Sequence, residues 1–251
     1  MIGYWFAQAD AEGVVRLSHG DDRVVRVGET LTVAGPIELC TWGLHASRRV
    51  LDALMYAPGS WLALVRLSGT MVEATAKVVA SARTTLWLDD VSEVLCEYAC
   101  DVAERALWSE RMSHREPDVR SWTAVETTRQ WLAGQATATE RYRAAQAARL
   151  AARALEGPAD RAMREDEAAA YEAAVRAAWA AAATGRLSAA AAAAEVSAWG
   201  AEAAAWRAVA DGASESATGV ALDMEEAWQD THLVDLLQQA GMPAVNEEGT
   251  R

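Results

Sequence analysis

The chain has 251 residues, 52% hydrophobic and 24% charged, with a net charge of −13. Such a composition excludes a disordered chain, and no apolar run approaches the ~20 residues of a membrane span. A surface this acidic repels phosphate backbones and disfavours nucleic-acid binding.

Residues 1–88 read as one β-rich domain. Short apolar runs (Tyr4–Ala7, Val14–Leu17, Val24–Val27, Leu31–Val33) are separated by turn signals at Ala11-Glu12-Gly13, His19-Gly20-Asp21-Asp22 and Val27-Gly28-Glu29. That is the rhythm of hairpins. One helix, Arg48 to Tyr56, interrupts them with Val50, Leu51, Leu54 and Met55 on its apolar stripe, and Pro58-Gly59 ends it. Trp61–Leu67 is the clearest strand, and its near-continuous apolar run requires cover on both faces before Ser68-Gly69 closes it. Lys77–Ala80 and Thr84–Trp87 read as two further strands.

From Asp89 the apolar period becomes 3.6 residues. Asp89 or Asp90 caps a helix carrying Val91, Val94, Leu95, Tyr98 and Val102, with Cys96, Cys100, Ala103 and Leu107 as a second stripe. Pro117 opens another helix at its first turn, carrying Val119, Trp122, Val125 and Trp131 towards Gly134. Residues 89–134 therefore read as linking helices packed on the β unit. Residues 135–243 form an alanine-rich region of helical hairpins, divided at Gly157-Pro158 and Gly185. Alanine lets helices approach closely, so Trp179, Trp199 and Trp206 must supply the bulk, and Trp179 and Trp206 are expected to be mostly buried. A final pair of helices follows. Val220, Met224, Ala227 and Trp228 share one face, and Leu233, Leu236, Leu237 and Ala240 share another after a cap at Asp230. Residues 244–251 read as a loose tail. The fold class is α+β: a small mixed sheet with one inserted helix, then an all-α region.

The opening Met1-Ile2-Gly3-Tyr4-Trp5-Phe6 lacks a basic n-region and a long apolar h-region, which points to a cytoplasmic protein. Three cysteines, Cys40, Cys96 and Cys100, fit a reducing compartment. Residues 187–251 alone carry 2 basic and 11 acidic groups, a net −9 that would draw only a basic partner. The helical region is the expected surface for a protein partner or for self-association.

Chemistry concentrates at Cys40-Thr41-Trp42-Gly43-Leu44-His45-Ala46-Ser47, which crosses from a strand end to a helix start. His45 reads either as a core or turn histidine or as a ligand group. Ser47 reads first as the helix N-cap. Arg48 and Arg49 in the first turn oppose the helix dipole unless an anion offsets them, which points to a small anionic ligand or nucleotide near His45, with Cys40, Ser47, Arg48, Arg49 and Tyr56 as the candidate ligand-binding residues beside it. A Cys40–His45 nucleophile pair lacks an orienting third group. His19, His114 and His232 share no metal-binding spacing, and Glu165-Asp166-Glu167 point different ways round a helix. No Walker A, GxGxxG, HExxH or GxSxG pattern occurs, and no cofactor is indicated.

Val27-Gly28-Glu29-Thr30, Cys40 with Gly43-Leu44-His45-Ala46-Ser47, and Leu51-Asp52-Ala53-Leu54-Met55-Tyr56 together resemble an uncharacterised domain family found in phages and prophages. Lys77-Val78-Val79-Ala80 and Arg83 are similar to its downstream motif. The resemblance spans about residues 3–88 and implies a phage or prophage accessory protein: a non-catalytic binding module that modulates the host, counters its defences or rides in the virion. Gly43-Leu44-His45-Ala46-Ser47 with Tyr56 is more distantly similar to ADP-ribosyltransferase-like folds, implying an alternative nucleotide- or NAD-handling enzyme with a pocket at His45. That pattern departs at Tyr4-Trp5-Phe6, where a first-strand Arg or His is expected, and at Ala82-Arg83-Thr84-Thr85-Leu86, which offers no glutamate.

Overall fold

The turn-punctuated runs of the first 90 residues pair into a five-stranded antiparallel sheet, and helices follow from Ser92 onward. The computed structural model describes residues 1–17, 22–154, 165–182 and 189–244, with side chains at 165 and 166 excepted. His19, Gly157-Pro158, Gly185 and the tail from Val245 lie outside the described residues, as do the side chains of Glu165 and Asp166. The chain divides into two compact units, Met1–Val94 with Leu233–Arg251, and Leu95–His232.

In the first unit, β1 (Ile2–Ala7) pairs with β4 (Trp61–Glu73), which pairs with β5 (Val78–Asp90). The far edge of β5 takes two short partners, β2 (Thr30–Thr32) at Ala82–Thr84 and β3 (Leu44–Ala46) at Val78–Ala80. Just past β3, Ser47 exchanges both backbone hydrogen bonds with Tyr4 at 2.8 and 2.9 Å. The path β1–β4–β5–β3 thereby returns to β1 as a small closed sheet. Leu62 to Val65 are buried in succession, so both faces of β4 are covered there, as the apolar run requires. Ala46, Ala63, Val65, Leu67, Val78 and Ala80 pack as one cluster. Ala7, Val15, Val25, Leu31 and Leu44 pack as another, with Trp5 and Leu88 touching both.

Three readings of this unit change. Ser68-Gly69 does not end the strand. Gly69 sits at φ 77° in a register shift, where a Cβ would stand 2.3 Å from Ser81 Oγ, so glycine permits a bulge and the strand runs on. The two strands expected over Lys77–Trp87 are one, because β5 keeps pairing with β4 while it changes partners on its other edge. The inserted helix is shorter than expected: α1 spans Val50–Leu54, and Arg49, in extended backbone, occupies its N-cap without a side-chain capping hydrogen bond. Ser47 is therefore not the cap. Val14–Leu17 and Val24–Val27 pair only through isolated bridges such as Arg16 with Val24.

The second unit is helical among the described residues. Asp90 accepts the first helical N–H, from Ser92, at 3.0 Å, and starts α2 (Ser92–Met112). Both stripes of α2 are buried, from Leu95 and Cys96 to Ala106 and Leu107. Asp118, not Pro117, caps α3 (Val119–Leu132) by accepting from Arg120 N. Its buried positions are Ser121, Ala124, Val125 and Thr128, and Val119 is 72% exposed. Among the described residues the alanine-rich region makes α4 (Ala138–Ala154), α5 (Glu165–Ala182) and α6 (Ala189–Ala210). Ala124, Ala144, Ala145, Ala148 and Ala182 pack together with Trp179 over them, partly buried. Trp206 departs from expectation at 38% exposure: Ala190, Ala192, Ala193 and Val196 on the same helix are fully enclosed without its indole. The last pair of helices is one continuous α7 (Glu215–Gln239), so Asp230 caps nothing. Its buried positions are Glu225, Gln229, Leu233 and Leu237, four residues apart, and Val220 and Met224 face outward.

Candidate functional site

The closed sheet leaves a cavity of about 410 Å³ within the first unit, at the lower end of the ~300–1,000 Å³ range of small-molecule sites. β1 supplies Tyr4, Trp5 and Phe6, β3 with the turn before it supplies Cys40 to Ser47, and Tyr56, Lys77 and Arg83 complete the wall. Among the described residues no aspartate or glutamate lines it, although acids outnumber Lys and Arg by 36 to 23 in the whole chain.

A tight loop sets the mouth. Glu38 and Trp42 pair across a turn in which Cys40 adopts φ 64°. Gly43 follows at φ 132°, and a Cβ there would stand 2.2 Å from Val79 Cγ2, so only glycine lets the chain swing from this turn into β3. The Cys40 backbone N–H donates to His45 Nε2 at 3.1 Å. Nε2 is thus the accepting nitrogen of this ring. Lys77 Nζ lies 3.3 Å from the Tyr56 ring centroid and 3.8 Å from Cys40 Sγ. The Trp42 indole N–H donates to Ala34 O at 3.0 Å.

Arg83 is the group the sequence did not single out as part of a site. It occupies an inward position of β5, 2% exposed, with Nη1 donating to His45 O at 2.8 Å and its guanidinium carbon 3.9 Å from the Trp5 ring centroid. Burial pulls its pKa down to about 9, so it still carries its charge at neutral pH.

Of the residues expected to form the site, His45, Ser47, Tyr56 and Cys40 do line the cavity. Arg48 and Arg49 do not: Arg48 pairs with Glu73 at 2.5 Å and Arg49 belongs to the α1 cap. The five residues of α1 are also too few for the helix-terminus anion site those arginines suggested. Lys77 and Arg83 stand in their place. Among the described residues no group of three or more His, Cys, Asp or Glu side chains is arranged to hold a metal, and no helix is long and apolar enough to cross a membrane. Comparison with family models, curated proteins and solved structures finds no match to this chain.

Proposed function

We propose that this chain is a binding protein whose first unit holds a small organic anion in the cavity between β1, β3 and the Cys40 turn. One observation carries the reading: in a chain of net charge −13, the lining includes Arg83, Lys77 and His45 and, among the described residues, no carboxylate. Placing two cations in one partly enclosed space disfavours the empty state and favours an anionic guest. Trp5, Trp42 and Tyr56 add flat apolar surface for the rest of the molecule.

The phage-family resemblance supports an accessory role for such a module, host-modulating, counter-defence or virion-associated, with the helical unit as its protein-contacting part. Trp108, Met112 and Val119, exposed near the α2–α3 connection, are the apolar groups such a contact would use. Among the described residues the lining holds no glutamate of the kind the transferase-like pattern uses, which favours binding over transfer chemistry. A thermal-shift screen of NAD, mononucleotides, cyclic dinucleotides and small carboxylates tests the proposal, because a ligand that binds only the folded state raises the melting temperature. At least one anion should stabilise the chain saturably. If none does at millimolar concentration, the cavity is not a ligand site.

A further inference from the structure

Arg83 narrows the chemistry of the occupant beyond its charge. Nη1 donates to His45 O at 2.8 Å, whereas Nε and Nη2 are buried without a hydrogen-bond partner among the described residues. These two nitrogens share one edge of the planar guanidinium, and their N–H bonds point in parallel at the spacing of two oxygens on one carbon or phosphorus. The Trp5 indole covers a face of the plane, which directs any acceptor to the edge. Buried donors are normally satisfied, and an unfilled fork on a charged group in a cavity wall is the signature of a missing partner. Arg207 and Arg141 in the helical unit also keep unpartnered nitrogens, but Arg207 has Glu110 and Asp211 at 3.7 and 3.6 Å, and neither arginine lines the cavity.

We infer that the ligand carries a two-oxygen anionic head, a carboxylate or a phosphoryl group, that docks bidentately on Nε and Nη2 of Arg83, with a flat unsaturated body among Trp5, Trp42 and Tyr56. The inference rests on the cavity being a ligand site. Because both nitrogens are sealed from solvent in the empty protein, docking requires the lining side chains to part, and the tryptophan emission changes with it.

The test titrates the full chain with benzoate, phenyl phosphate and the neutral benzamide, following tryptophan fluorescence and the Arg83 Nε–H resonance in a ¹H–¹⁵N spectrum. The resonance is assigned by its loss in Arg83→Lys. At least one anion should bind at least tenfold tighter than benzamide and shift that resonance. Binding should weaken at least tenfold in Arg83→Lys, which keeps the charge and loses the fork. Benzoate or phenyl phosphate acting alone tells a carboxylate ligand from a phosphoryl one. Equal binding of benzamide, or undiminished binding by Arg83→Lys, overturns the fork while leaving the cavity a ligand site. If none of the three binds, both the fork and the cavity reading fall. Arg83→Met is a second variant that removes the fork without charge, should the lysine form fail to fold.

Discussion

Replacing Arg83 by methionine is expected to abolish anion binding and yet make the protein no less stable. Lowering the pKa of this guanidinium from above 12 to about 9 by desolvation corresponds to roughly 4–5 kcal/mol of hydration lost on folding. Against that stand the hydrogen bond to His45 O, whose loss costs about 1–3 kcal/mol, and the stacking on Trp5, worth about 1–2 kcal/mol. Methionine fills a similar elongated volume, carries no charge and restores a sulfur contact to the indole. The balance is a gain of about 1 kcal/mol, in line with the general finding that buried ionic groups are replaced by apolar ones at little or no loss. Urea unfolding at pH 7, followed by circular dichroism, reads the difference as an unchanged or higher midpoint with an unchanged slope. A loss of more than ~2 kcal/mol would refute the reasoning, since it would make Arg83 a net structural contributor.

Other consequences are open to direct measurement. A thiol reagent should modify one cysteine rapidly in the native protein, Cys40, which is exposed, whereas Cys96 and Cys100 are buried and the Cys100 thiol is pushed up to about 12 by burial; all three should react after unfolding. Gly43→Ala should destabilise by about 2 kcal/mol or more and weaken anion binding with it, because the residue holds φ 132° against Val79; unchanged melting would show that the turn can relax. Ser47→Gly should leave α1 without the loss of a cap, so any destabilisation reflects the backbone at the Tyr4 bridge and burial of the side chain. Trp206→Ala should cost less than Trp179→Ala in melting temperature, as the half-exposed indole contributes less to packing than the one over the Ala124–Ala182 cluster.

Much of the architecture was legible because it depends on local signals. The change of period at Asp89 marks where strands give way to helices, and the Asp90 carboxylate sits where a helix start needs it. The errors occurred where tertiary pairing overrides local patterning. Ser68-Gly69 looks like a turn but is a bulge, because the partner strand continues beyond it. Ser47 looks like a cap but is spent on the strand bridge that closes the sheet, leaving Arg49 at the helix boundary. On α7 Met224 faces outward and Glu225 inward, where it pairs with Arg105 at 2.9 Å, a partnership that no sequence periodicity reveals. The site divides in the same way. His45, Tyr56 and Cys40 could be found from the clustering of polar groups at one junction. Arg83 could not, since a single-residue change of register turns the same arginine from a buried anchor into a solvated side chain.

The most direct test of the central claim is a crystal structure of the chain grown with phenyl phosphate and with benzoate. The account predicts density for the anionic head in the plane of the Arg83 guanidinium, within hydrogen-bond distance of Nε and Nη2, with the ring against Trp5, Trp42 or Tyr56. An empty cavity with the Arg83 edge still sealed, or an anion bound only at Arg48 and Arg49 on the surface, would contradict it.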